Sequence, residues 1–421
     1  MPRPDPPSSL GNPVPPATTV RDWPDQPPLR AGRVVGLGPG TAGVALVACR
    51  KILVVKLDFI GDWVLTTPFL AGLRRAAPAA EITAVVLDRA YALAAPCRLV
   101  DRVIGVPAAA EGPVRFGAAD EAMLDGFLGD VSTGAFDLAL VPRWDTDFNG
   151  ATRIAGLSGA ATVVGFSEQC THRKRRDNPG FDRFLDVALL DQRQCHEVEH
   201  TLGMLEALGG AREARLQLDL TAADREAAAA FRVARFGSSV RPLLAVAPFA
   251  AGRRQWPLDR TAALATVIAA AHDMDAAVIG GPENVAAADE VAAMIAASGV
   301  PAASTAGVLG LRENAALAGA AALFVGMDSG PGHVASALGA PVVILGAHPE
   351  GASPSHPSAP ERFGPWADPD SVLLLRPAAH RPLCTDGCVA DTPHCILELA
   401  VDDVIPAVLA FADRQASGDQ R

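Results

Sequence analysis

Positive charge is in short supply in this 421-residue chain, where 36 Lys and Arg stand against 47 Asp and Glu for a formal net charge of −11. That balance excludes a protein that binds nucleic acid or another polyanion over its whole surface. The exception is local. Arg173-Lys174-Arg175-Arg176 reads either as a solvated loop or as a contact for an anionic acceptor or membrane surface. Long apolar runs are also missing, and none approaches the about 20 residues that a membrane-spanning helix needs. Pro2, Pro4, Pro6 and Pro7 stand where a signal peptide would have its apolar stretch, so no such peptide is expected. Cysteine is sparse and odd in number, seven in all, which argues for a reducing compartment rather than a disulfide framework. Aromatics make up only 5% while Ala and Gly abound, a mixture that suits close packing of helices on sheets.

What is present suffices for two or three domains, because 49% of the residues are hydrophobic. Residues 1–30 are rich in Pro, Ser and Asp and read as a disordered tail, with folded structure beginning between Ala31 and Lys51. Lys51–Leu57 is a branched apolar run that predicts a buried parallel strand. A turn at Asp58–Asp62 follows, then a helix over Trp63–Arg75 that Pro68 should delay or kink. Glu81–Leu87 and Phe136–Val141 predict further strands. The rhythm returns later. Strands are expected at Leu243–Ala247, Ala276–Gly280, Ala321–Val325 and Pro341–Leu345, with helices at Leu258–His272 and Val334–Leu338. Alternating strands and helices imply two doubly wound parallel sheets, divided near Leu216–Val240, with ligands beyond the carboxyl ends of the strands.

Three post-strand loops carry chemistry. In Asp58-Phe59-Ile60-Gly61-Asp62 the glycine permits a tight turn, and Asp62 either caps the helix or serves as a general base toward an acceptor hydroxyl. In Gly326–His333 small residues let a ligand approach, helix-start amides suit a phosphate, Ser329 offers a hydroxyl and Asp328 accepts from sugar hydroxyls; a plain capped turn is the simpler reading. His333 reads equally as a helix-start residue or a site group. In Pro248–Pro257, Arg253 and Arg254 suit a leaving diphosphate.

At these places the sequence resembles glycosyltransferase family 9, the heptosyltransferases, over roughly Lys51 to Leu409. The resemblance rests on Lys51–Pro68 with its Ile-Gly-Asp and Thr-Thr-Pro, on Arg254-Gln255-Trp256-Pro257, on Gly280-Gly281-Pro282-Glu283 and on Met327–His333. It implies an α/β, GT-B fold of two Rossmann-like domains facing a central cleft. Expected bounds are 46–225 for an acceptor-binding domain, 240–400 for a nucleotide-sugar-binding domain and 401–421 for a C-terminal helix and tail. It implies inverting transfer without a metal or other cofactor, from a nucleotide sugar, ADP-heptose, to a hydroxyl of a cell-surface glycan or glycolipid. The location implied is cytoplasmic, in peripheral contact with the inner face of the membrane. Asp62 matches the catalytic base. Arg254, Glu283, Asp328, Ser329, Gly330 and His333 match the donor side, and Gly61 and Thr66 the acceptor side. Phe249 and Ala250 lie where some heptosyltransferases carry hydroxyls, a departure that bears on the donor sugar.

Rival signals come from other classes. His196-Glu197-Val198-Glu199-His200 fits the zincin pattern, which on a helix puts two imidazoles on one face for a zinc hydrolase. Gly38–Gly43 fits a dinucleotide-binding glycine pattern, though only seven residues separate it from Lys51, too few for the helix that pattern requires. Cys384, Cys388, His394 and Cys395 read as ordinary reduced residues or as a structural metal site. A non-catalytic sugar-nucleotide or glycan-binding module is a further alternative.

Overall fold

The computed structural model describes residues 30, 32–107, 135–237, 240–356, 358–378 and 392–418. The stretch read as a tail lies outside these, except Arg30, which is anchored: its amide donates to the Arg183 carbonyl at 3.1 Å and its guanidinium pairs with Asp186.

Two all-parallel sheets form the frame. The first holds β1 (Arg33–Gly36), β2 (Lys51–Lys56), β3 (Glu81–Leu87), β4 (Arg102–Val106), β5 (Leu138–Val141), β6 (Thr162–Phe166) and β7 (Val187–Leu190), in the order β1-β7-β6-β5-β2-β3-β4. The second holds β8 (Leu243–Ala247), β9 (Asp275–Val278), β10 (Ala302–Ser304), β11 (Leu323–Met327), β12 (Val342–Leu345) and β13 (Val372–Leu375), in the order β10-β9-β8-β11-β12-β13. Central strands such as Leu138–Val141 and Leu243–Ala247 are buried along their whole length, as sheets covered by helices on both faces require. Chain order reverses between β2 and β5 in one sheet and between β8 and β11 in the other. At such switch points the loops diverge and leave a crevice for ligands.

The expected domain bounds shift. β1 pairs with β7, so the first sheet takes in residues ahead of 46. The helix Ala222–Phe236 packs Ala228 and Phe231 into the core that holds Leu317 and Phe324, and Asp224 pairs with Arg312 at 3.0 Å; it belongs with the second half. The C-terminal helix Val401–Ser417 also packs there, through Val404, Val408 and Phe411.

Two helices start earlier than expected. The first runs Ile60–Ala76 straight through Pro68. Proline lacks the N–H that would meet the Val64 carbonyl. The Thr67 hydroxyl donates to that oxygen at 2.7 Å instead, so the helix continues without an orphaned acceptor. The second runs Gly330–Ala337 rather than from Val334. Extended Ser329 precedes it, and Pro331 is tolerated because the amides of a first turn have no intrahelical partner.

One segment departs from its own half. Between β12 and β13 the chain crosses to the first half, where Phe363 and Trp366 pack against the first core and the Trp366 indole donates to the Ala214 carbonyl at 2.6 Å. Among the described residues no helix is long and apolar enough to cross a membrane.

Candidate active site

The first switch point is lined by the loops after β2 and β5. Lys56 ends its strand buried, with its ammonium 2.8 Å from Asp58 Oδ2 and donating to the Pro142 carbonyl at 3.2 Å. Arg143 reaches both acidic residues of the first motif, its Nη1 lying 3.1 Å from Asp58 Oδ1 and 3.4 Å from Asp62 Oδ1. Asp62 sits in the first turn of its helix with its side chain 17% exposed. Burial first, and the Asp58 carboxylate second, push its pKa up to about 6 against the pull of Lys56 and Arg143. Asp58 goes the other way: burial would raise it, but Arg143 and Lys56 outweigh that and hold it below its ordinary value. Two neighbouring carboxyls are thus set apart in protonation, one held as an anion and one able to exchange a proton near neutrality.

The second switch point is lined by the loops after β8 and β11. Arg254 Nη1 donates to the Asp328 carbonyl at 3.0 Å, which ties the two loops together. Gln255 shapes the first of them, accepting from the Ala250 amide at 3.0 Å and donating to the Pro248 carbonyl at 2.7 Å. Trp256 is fully buried and donates to the Leu399 carbonyl, so in the Arg-Gln-Trp-Pro motif only the arginine is left to face a ligand. Asp328 is buried at the end of β11, and desolvation raises its carboxyl to about 6, with Arg254 opposing. Ser329 precedes the helix and its hydroxyl donates to the Met327 carbonyl at 3.3 Å. Glu283 lies on an exposed turn after β9, its carboxylate folded over Gly281. Phe249 packs against Gly280 of the same turn.

The two switch points meet. A Cβ on Gly61 would stand 2.6 Å from His333 Cδ2, and one on Gly330 would stand 3.3 Å from Ile60 Cβ. The first turns of the helices Ile60–Ala76 and Gly330–Ala337 are therefore in contact across the seam, and glycine at 61 is required by this approach. His333 is buried with Nδ1 unpartnered; burial first, then His196 and Arg254, lower its pKa to about 3, so the ring is neutral. Thr66 is 1% exposed, and its hydroxyl donates to the Asp62 carbonyl at 2.7 Å. It braces the turn that carries Asp62 and offers no surface to an acceptor.

The zincin reading fails on the same geometry. His196 accepts from the Val198 amide through Nδ1 and meets the Gly364 carbonyl through Nε2 at 3.0 Å. Glu197 is tied to Arg362 at 2.5 Å, and fully buried His200 stacks on Trp144 at 3.8 Å while meeting Asp191 at 2.7 Å. Neither imidazole is left for a metal. Among the described residues no group of three metal-ligating side chains occurs. The Gly38–Gly43 pattern is a turn whose amides at Gly40 and Ala42 bond the end of the Glu197–Ala207 helix, with no helix of its own. In the basic run, Lys174 is not solvated: it is 2% exposed and donates to the carbonyls of Arg143, Trp144 and Phe166. Cys384 and Cys388 lie outside the described residues; Cys395 is disulfide-bonded, which corrects the expectation of a reduced thiol there. Sequence reasoning missed Arg143 and Arg362 as site neighbours and read Glu197 only within the zincin pattern. For Arg143 the available signal was its place just after a strand end beside β2.

The model of glycosyltransferase family 9 (heptosyltransferase) matches residues 154–390. No curated protein sequence matches the chain. The fold is similar to that of a glycosyl transferase family 9 protein from Veillonella parvula (20% identity, TM-score 0.70, 87% of this chain and 98% of that one). It is similar to the E. coli ADP-heptose lps heptosyltransferase II (19%, 0.62, 87% and 99%) and to E. coli heptosyltransferase WaaC with ADP (18%, 0.59, 86% and 99%). With two parallel sheets joined at their switch points and more than half its length matched, the chain belongs to glycosyltransferase family 9 and is a glycosyltransferase of GT-B fold.

Proposed function

We propose that this glycosyltransferase moves heptose from ADP-heptose, with inversion and without a metal, to a hydroxyl of a cell-surface glycan or glycolipid at the cytoplasmic face of the membrane. The reading is carried by the contact of Gly61 with His333 and of Ile60 with Gly330, which joins the Asp62 turn to the Asp328–His333 turn. The donor diphosphate lies at the start of the Gly330–Ala337 helix, whose positive end favours an anion, with Ser329 and Arg254 beside it. Asp328 accepts from the sugar hydroxyls and Glu283 from the ribose. Asp62 takes the proton of the acceptor hydroxyl as its oxygen attacks the anomeric carbon; the bond to the leaving phosphate oxygen breaks, and Arg254 with the helix-start amides stabilises the charge on ADP. The fold shared with E. coli heptosyltransferase WaaC, solved with ADP and with ADP-2-deoxy-2-fluoro heptose, supports the choice of donor.

The test is transfer by the purified protein from ADP-heptose. Asp62→Asn is expected to bind donor normally by calorimetry while transfer drops by about 100-fold or more. A base must be ionised, so kcat/KM should decline as pH falls through about 6. The rate should be indifferent to chelator. Wild-type transfer by Asp62→Asn would remove the base assignment.

A further inference from the structure

We propose that Asp58 and Arg143 act as a positioning pair that holds Asp62 in place and governs when it ionises. The argument starts with how firmly Arg143 is fixed. Its Nε donates to the Thr146 carbonyl at 2.9 Å, and its own carbonyl accepts from the buried Lys174 ammonium at 2.9 Å. The side chain is therefore tethered at Nε and its backbone is pinned by Lys174, which holds Nη1 between the two carboxylates and leaves it to lean toward either. A single nitrogen, Nη1, lies between Asp58 at 3.1 Å and Asp62 at 3.4 Å. Asp58 also takes the Lys56 ammonium at 2.8 Å and so holds two cations. Among the described residues Arg143 is the one cation within 4.0 Å of Asp62, and it reaches Oδ1. Asp58 thus draws Arg143 away from Asp62, which leaves Asp62 oriented through one oxygen yet weakly neutralised.

Other charged and titratable groups face this point. Lys56 and Asp58 come from β2 and its loop, Arg143 and Asp145 from the loop after β5, and Lys174 from the helix His172–Asp177. Glu197 comes from the helix Glu197–Ala207, with Arg362 bound to it, and His333 from the other half. Arg89 lies over the Phe59 ring at the helix start. Removing the charge of Asp58 frees Arg143 for Asp62 and removes a repelling carboxylate; both changes favour ionised Asp62. Removing Arg143 leaves Asp58 and Glu197 to repel it.

The inference rests on the proposed role of Asp62 only for its catalytic consequence, and the experiment separates the two. In the full-length protein labelled with 13C at the aspartate carboxyls, the Asp62 resonance is identified by its loss in Asp62→Asn, and its titration is followed in each variant. Asp58→Asn should lower the midpoint by about one pH unit or more, and Arg143→Gln should raise it by a similar amount. Arg143→Lys, which keeps the charge, should restore most of the wild-type midpoint. A residue with only a structural role would lower melting temperature without moving this resonance in opposite directions. An unmoved midpoint in folded Asp58→Asn overturns the proposal. So does a fall in Arg143→Gln. If Arg143→Gln does not fold, the nearly isosteric Asp58→Asn decides alone. Midpoints that move as stated while Asp62→Asn still transfers sugar would keep the pair and discard the base.

Discussion

Asp328 shows how a single buried carboxyl weighs on stability. The residue is 7% exposed at the end of β11, and desolvation lifts its carboxyl pKa to about 6. The native state then holds a proton that the unfolded chain releases at its ordinary, lower pKa. Stability is present below that lower value and is lost as pH rises toward 6, on the order of 3 kcal/mol in all. Asp328→Asn removes the ionisation. Its melting temperature should exceed that of wild type at neutral pH, the gain should vanish in acid below the ordinary carboxylate range, and donor binding should weaken. A melting temperature below wild type at neutral pH would contradict this. The placement of the motif residues at strand ends was legible because each sits in a local pattern of strand, glycine and polar group. The roles of Arg143, Glu197 and Arg362 were not, because they come from partners far along the chain: Arg362 meets Asp145 and Glu197 across the halves. A burial this specific leaves no local periodicity to read.

At the scale of the element, the Ile60–Ala76 helix is the clearest case of a local rule offset by a neighbour. Pro68 signalled a break, yet the preceding residue supplies the missing donor, since Thr67 Oγ1 reaches the Val64 carbonyl and also accepts from the Gln217 amide at 3.0 Å. Thr67→Val should therefore cost about 1–3 kcal/mol in chemical denaturation, because a buried carbonyl and a half-buried amide lose their partners. In a Pro68→Ala background the backbone N–H returns, and the same substitution should cost about 1 kcal/mol less. Equal costs in both backgrounds would show that the hydroxyl does not stand in for the proline. Seven of the thirteen described strands, and the helices after β2 and β8, were readable from apolar runs with ends displaced by a few residues, while β4, β6, β7, β10 and β13 were not read. β1, four residues long and mostly exposed, carried no such run. The Gly330–Ala337 helix was expected late because Gly, Pro and Gly read as loop; in a first turn, where amides have no helical partner, they carry little penalty.

Across the whole molecule the two halves are joined by more than the seam at Gly61 and His333. Arg362, encoded between two strands of the second sheet, is 2% exposed inside the first half, 3.0 Å from Asp145, bound to Glu197 and stacked near Trp144 at 4.9 Å. Removing one member of a buried ion cluster leaves the others uncompensated, so Arg362→Met should lose about 3–5 kcal/mol in urea unfolding. A triple replacement of Arg362, Asp145 and Glu197 by apolar residues should recover much of it. If the single variant unfolds like wild type, the cluster contributes little to cohesion. The crossing of this segment also bears on how such enzymes are recombined. A chimera that keeps the front half and borrows a back half from a relative would discard a guanidinium that answers two carboxylates of the retained part and strip the cover that Trp366 gives it. The graft would have to leave residues 353–366 with the front, although they are read from the middle of the back.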